Sequence, residues 1–115
     1  MLTDRYLHGI PADSRAARGG PLRQDYLSSD NLVHIRGLAE IAAARGQSLA
    51  QLAIAWVLRD PRITSVVLGP RTTTQLEDSL RAIGGPPITP DELEAIDLHA
   101  VDAGVNLWGP RSSEL

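Results

Sequence analysis

Apolar residues recur at helical spacing in four stretches of this chain, and the residues between them are those that start and stop helices. Ser28, Ser29 and Asp30 offer N-caps for a helix over about 31–45. Its stripe is Leu32, Ile35, Leu38, Ala39 and Ala42, and Gly46 suits the left-handed stop. Ser48 caps a second helix to about residue 60, where Pro61 ends it. Leu49, Leu52, Ala53, Trp56 and Val57 line one face of that helix. Ala50, Ile54, Ala55 and Leu58 make it apolar nearly all round, which predicts packing on several sides. A third helix is predicted over about 73–83, with Leu76, Leu80 and Ile83 facing inward and Gly84-Gly85-Pro86-Pro87 breaking it. Thr89-Pro90-Asp91-Glu92 then reads as a capping box with Pro at N1 and two acids in the first turn. It predicts a fourth helix to about residue 103, burying Leu93, Ile96 and Ala100.

One segment has a different rhythm. Ser65-Val66-Val67-Leu68 is a short continuous apolar run, the pattern of a strand buried on both faces of a parallel sheet. It predicts a single clear strand at about 64–68. Such a strand needs neighbours to satisfy its backbone N–H and C=O groups, and no other segment reads as one. The pattern therefore predicts an α/β fold, mostly helical, of which this chain holds only part. Residues 1–28 lack periodicity. Gly9-Ile10-Pro11, Gly19-Gly20-Pro21 and Arg15, Arg18 and Arg23 read there as a long surface loop. Residues 105–115, with Trp108, read as an irregular tail.

Composition narrows the classes. At 115 residues the chain suits one domain, and with aromatics at 3% and no Phe its core must come from Leu, Ile, Val and Ala. A net charge of −3 speaks against nucleic acid or an anionic membrane as partner. Without Cys there is no disulfide, thiolate metal site or thiol nucleophile. No apolar stretch approaches the ~20 residues that span a bilayer, and the N-terminus lacks signal-peptide character. The expectation is a cytoplasmic protein.

Three constellations could carry chemistry. Ala39 to Trp56 has the outline of a helix-turn-helix, but Gln51 is the only base-reading side chain from Ser48 to Leu58 and no positive charge accompanies it. DNA recognition is not expected. Gly69-Pro70-Arg71-Thr72-Thr73-Thr74 opens a helix with free N–H groups, a guanidinium and hydroxyls, the ingredients of an anion site. The same residues also suit a simple cap, with Thr72 or Thr73 closing the helix and Arg71 in water; both readings stand on these residues alone. His8, His34 and His99 have no metal-ligand spacing, and Tyr6 and Tyr26 have no Lys to lower their pKa, since the chain contains none. No catalytic group and no metal site emerges.

The segment from Thr64 to Ser79 resembles the eighth strand and following helix of the aldo-keto reductases, NADPH-dependent (β/α)8 barrels. Leu2-Thr3-Asp4-Arg5-Tyr6 with the run from Gly9 to Arg15 resembles the segment after strand seven in the glyceraldehyde-3-phosphate reductase branch, which is related to potassium-channel β subunits. The run from Gly46 to Leu58 resembles the helix before strand eight, and Asn106-Leu107-Trp108 the branch's tail. The resemblance implies that residues 1–115 are the C-terminal portion of such a barrel, with 1–28 the loop after strand seven and 105–115 the tail.

It also implies an NADP (NADPH) site. Gly69 would form the turn, Arg71 and Thr72 would meet the 2′-phosphate, and Gln75 falls on the family's Gln. Asp78 and Ser79 stand where Glu and Asn usually contact the adenine; the shorter acid and the lost amide weaken that contact. The family's Asp-Tyr-Lys-His catalytic group lies upstream and has no matching position here. The implied parent reaction is hydride transfer from NADPH to a small aldehyde or ketone, with no turnover by this chain alone. Its unpaired strand edges would favour self-association or completion by another chain. Two other classes fit the same features: a helical interaction module using the helix at 49–60, and a non-catalytic NADPH-sensing regulatory subunit.

Overall fold

The computed structural model describes residues 29–102. Four helices make up its regular structure: α1 Ser29–Ala44, α2 Leu49–Leu58, α3 Thr73–Leu80 and α4 Pro90–Asp97. The expected loop at 1–28 and tail at 105–115 lie outside the described residues.

The α1–α2 corner follows from its glycine. Gly46 takes φ +69°, a conformation that costs glycine nothing. Its N–H donates to the Ala43 carbonyl at 3.0 Å, and the Gln47 N–H donates to Ala42 at 2.9 Å. This pair of bonds satisfies carbonyls the helix end would otherwise orphan. Ser48 then caps α2: its hydroxyl accepts from the Gln51 N–H, and the Gln51 amide oxygen accepts from the Ser48 N–H. The chain leaves α1 at 84° to enter α2. Ala42, Leu52 and Ile96 bury where α1, α2 and α4 meet, with Leu38, Ile41, Trp56 and Ile88 packed around them. α3 rests against α2.

Three expectations need correction. No strand forms at 64–68 among the described residues, and Val67 is 96% exposed. A strand exists only as one side of a ladder, and no described segment supplies the other side. Leu76, Leu80 and Ile83 do not face inward; they are 39%, 50% and 69% exposed, because nothing described covers that side of α3. α4 closes at Asp97, earlier than residue 103. The His99 and Ala100 N–H groups both turn back to the Ile96 carbonyl, which leaves Ala100 exposed.

Candidate functional site

The N-terminus of α3 is built by its own residues. Thr72 is the N-cap, extended at φ −132° and ψ 157°, and its hydroxyl accepts from the Gln75 N–H at 3.1 Å. The Gln75 amide oxygen reaches back to accept from the Arg71 N–H at 2.8 Å. Two N–H groups at this helix end are thus already occupied, one by each side chain. Gly69, Arg71, Thr72 and Gln75 are all exposed, and a Cβ on Gly69 would meet only open space. No ion pair engages the Arg71 guanidinium among the described residues. The geometry is an exposed cation beside a capped, positively polarised helix end, which suits an anion approaching from solvent.

Asp78 and Ser79 are placed differently. Asp78 is half-buried against the start of α2, where Ser48 donates its hydroxyl to Oδ2 at 2.8 Å. The Gln51 Nε2 group donates to Oδ1 at 2.8 Å and to the Asp78 carbonyl at 2.9 Å. The pair that caps α2 therefore also clamps α3. Both Asp78 carboxylate oxygens have protein partners, and through them the residue joins two helices. Ser79 lies half-buried beside it. Of the six predicted site residues, the structure brings Arg71, Thr72 and Gln75 together on the exposed side, next to Gly69, and turns Asp78 inward. Sequence reading missed that clamp, whose only local signal was the Ser48–Gln51 box itself.

Two other clusters stand apart from this site. Arg45, whose side chain is only 6% exposed, donates to Gln47 at 2.9 Å, to the carbonyls of Pro86 and Pro87, and to Glu92. That ion pair holds the Glu92 carboxyl below the usual carboxylate range. A cavity of about 130 Å³ lies among Leu38, Leu49, Leu52, Trp56, Ile96 and Ala100. The Trp56 indole N–H is buried with no acceptor among the described residues, while the Arg59 guanidinium lies 4.0 Å from the ring centroid. Among the described residues no group of three or more His, Asp or Glu could hold a metal ion. Nor is any single described helix long and apolar enough to cross a membrane.

Comparison with known proteins decides the family. Residues 1–106 match the profile of the Aldo/keto reductase family. The chain belongs to that family. It is 42% identical over 118 residues to L-glyceraldehyde 3-phosphate reductase of Escherichia coli, a match covering 99% of this chain and 34% of that protein. It is 39% identical over 101 residues to a probable voltage-gated potassium channel subunit beta of Oryza sativa subsp. japonica, covering 84% of this chain and 31% of that one. A similar protein of Arabidopsis thaliana is 38% identical over 101 residues, again 84% and 31%. The branch expected from the sequence is thus the branch found. This aldo/keto reductase chain spans about a third of the length of the curated relatives it matches. Family membership implies the (β/α)8 barrel as the fold of the complete domain.

Proposed function

We propose that this chain is the cofactor-gripping C-terminal portion of an aldo-keto reductase. The complete protein would transfer hydride from NADPH to a small aldehyde or ketone. The observation that carries this reading is the 42% identity to a reductase across 99% of the chain. The matched stretch includes an exposed helix N-terminus with a cation beside it. Arg71 and Thr72 would hold the 2′-phosphate there, with Gln75 ordering the turn through the Arg71 N–H. Gly69 would let the backbone come close. Asp78 and Ser79 would sit behind, contributing to the adenine pocket mainly by fixing α3 on α2.

What this chain's residues do in such a reaction is binding and orientation. A guanidinium and a helix N-terminus both favour a dianionic phosphate, which selects NADPH over NADH. The cofactor, when bound, supplies the hydride. The group that protonates the carbonyl oxygen would come from outside residues 1–115. The exposed Val67, Leu80 and Ile83 support this reading, because they would pack against further strands and helices of the barrel. The same surfaces would otherwise drive self-association.

A chimera tests the proposal. In the E. coli reductase, the matched third is replaced by this chain, and NADPH-dependent aldehyde reduction is measured. Retained turnover supports the reading; a folded, NADPH-binding chimera without turnover favours the second reading, a regulatory subunit, which the match to potassium channel β subunits also supports. A folded chimera that binds no nucleotide would overturn both.

A further inference from the structure

The cavity of about 130 Å³ lies between α1, α2 and α4, and no residue of the proposed nucleotide site lines it. Buried Leu49, Leu52 and Ile96 form its floor, flanked by half-buried Leu38 and Ala53. Exposed Ala100, just past α4, marks its mouth. The chain beside that mouth is fixed on α1. The His99 ring lies on Gly37, where a Cβ would fall 2.3 Å from His99 Cε1, and the Nδ1 atoms of His99 and His34 are 3.4 Å apart.

The lining carries a single polar side-chain atom, Nε1 of Trp56. Its N–H is buried and has no acceptor among the described residues. An indole nitrogen only donates, and a buried donor without a partner costs free energy that a bound acceptor would recover. The ring is also held in place. Arg59 donates to the Trp56 carbonyl at 2.6 Å, and its guanidinium lies 4.0 Å from the ring centroid. The donor is therefore oriented before any ligand arrives, which removes an ordering cost from binding. An engineered apolar cavity of ~150 Å³ takes benzene, so the space here suits about six non-hydrogen atoms.

We propose that this cavity binds a compact apolar molecule of that size carrying one acceptor oxygen, which takes the Trp56 indole N–H. The hydrocarbon part covers Leu49, Leu52 and Ile96 and supplies most of the affinity, while the single hydrogen bond sets the orientation. A polyol or an anion would bring polar groups that this lining leaves unpaired. The proposal does not depend on the nucleotide reading, whose residues lie on α3 and just before it.

The probes are cyclopentanone and methylenecyclopentane, the same ring with the carbonyl oxygen replaced by CH2. Each is titrated into the full chain carrying Trp108→Phe, so that NMR follows the Trp56 indole proton alone. Cyclopentanone should move that proton downfield to saturation, and methylenecyclopentane should bind without the downfield shift. Affinity gives a second readout. Trp56→Phe should weaken cyclopentanone by roughly fivefold relative to methylenecyclopentane, the share of one hydrogen bond. Ala53→Leu, which fills the cavity, should abolish saturable binding of both. The absence of a saturable shift with cyclopentanone, the same shift with methylenecyclopentane, or unchanged binding in Ala53→Leu would overturn the site. Equal weakening of both probes in Trp56→Phe would overturn the role of the N–H. The indole shifts are read with every cavity side chain native, so they decide the matter even if Trp56→Phe or Ala53→Leu does not fold.

Discussion

Ser48 donates its hydroxyl to the Asp78 carboxylate at 2.8 Å while accepting the Gln51 N–H, so one side chain both starts α2 and ties down α3. Gln51 completes the joint, with its amide oxygen on the Ser48 N–H and its amide nitrogen on Asp78. Every polar atom of a buried Gln is thereby used, as burial requires. Asp78→Ala strands two donors at this joint. It should cost about 1.5–3 kcal/mol of stability, the range for hydrogen bonds to a charged group, as read by urea denaturation. The preference for NADPH over NADH should not change. A change in that preference without loss of stability would show that Asp78 serves the nucleotide first.

The Arg45–Glu92 pair sets a pH dependence. Hydrogen bonding from Arg45, with smaller help from the Thr89 N–H, holds the Glu92 carboxyl below its ordinary range. A carboxyl depressed in the folded state contributes stability above the unfolded value, about 4.3 for Glu, and loses it as pH falls through the lower folded value. Glu92→Gln should be less stable at neutral pH by about 1–3 kcal/mol. It should also lose less stability than wild type as the pH drops below about 4. Acid titration followed by circular dichroism measures both. Parallel acid limbs would contradict the assignment. Asp60 is likewise held low, by Arg62, but this exposed pair is screened by water and should leave stability unchanged when removed.

Gly37→Ala places a methyl group on the His99 ring. The ring must swing away from α1, which breaks the contact with His34. The expected loss is about 1–3 kcal/mol, the usual cost of overpacking, as read by urea denaturation. Gly46→Ala is a useful contrast. It should destabilise through its positive φ alone, with open space around the added methyl.

The helix starts were legible because caps are local. Ser48 with Gln51, Thr72 with the Gln75 N–H, and Thr89 with Glu92 each join residues three apart; the Ser48 cap and the Thr89–Glu92 box formed as the sequence pattern predicts, and of the two candidates Thr72 and Thr73 it is Thr72 that caps α3. Gly46 was legible for the same reason. The run at 64–68 misled because strand character belongs to a pair of segments, and the described residues contain only one of them. Leu76, Leu80 and Ile83 show the same effect on a helix: period marks a face as apolar but does not say what covers it. Asp78 with Ser48, Arg45 with Glu92 and His34 with His99 are separated by 30, 47 and 65 residues. No periodicity records such contacts. At the candidate site the resemblance supplied the residues, and the structure supplied the difference between exposed Arg71 and clamped Asp78.

The central claim is that the capped start of α3 receives the 2′-phosphate of NADPH, with Arg71 as its cation. Its most direct test is the affinity of the full chain for NADPH and for NADH, by fluorescence titration, in wild type and Arg71→Ala. Loss of one charge-assisted phosphate contact should weaken NADPH binding on the order of tenfold and leave NADH binding unchanged. Equal weakening for both nucleotides, or none for either, would contradict a 2′-phosphate site at Arg71.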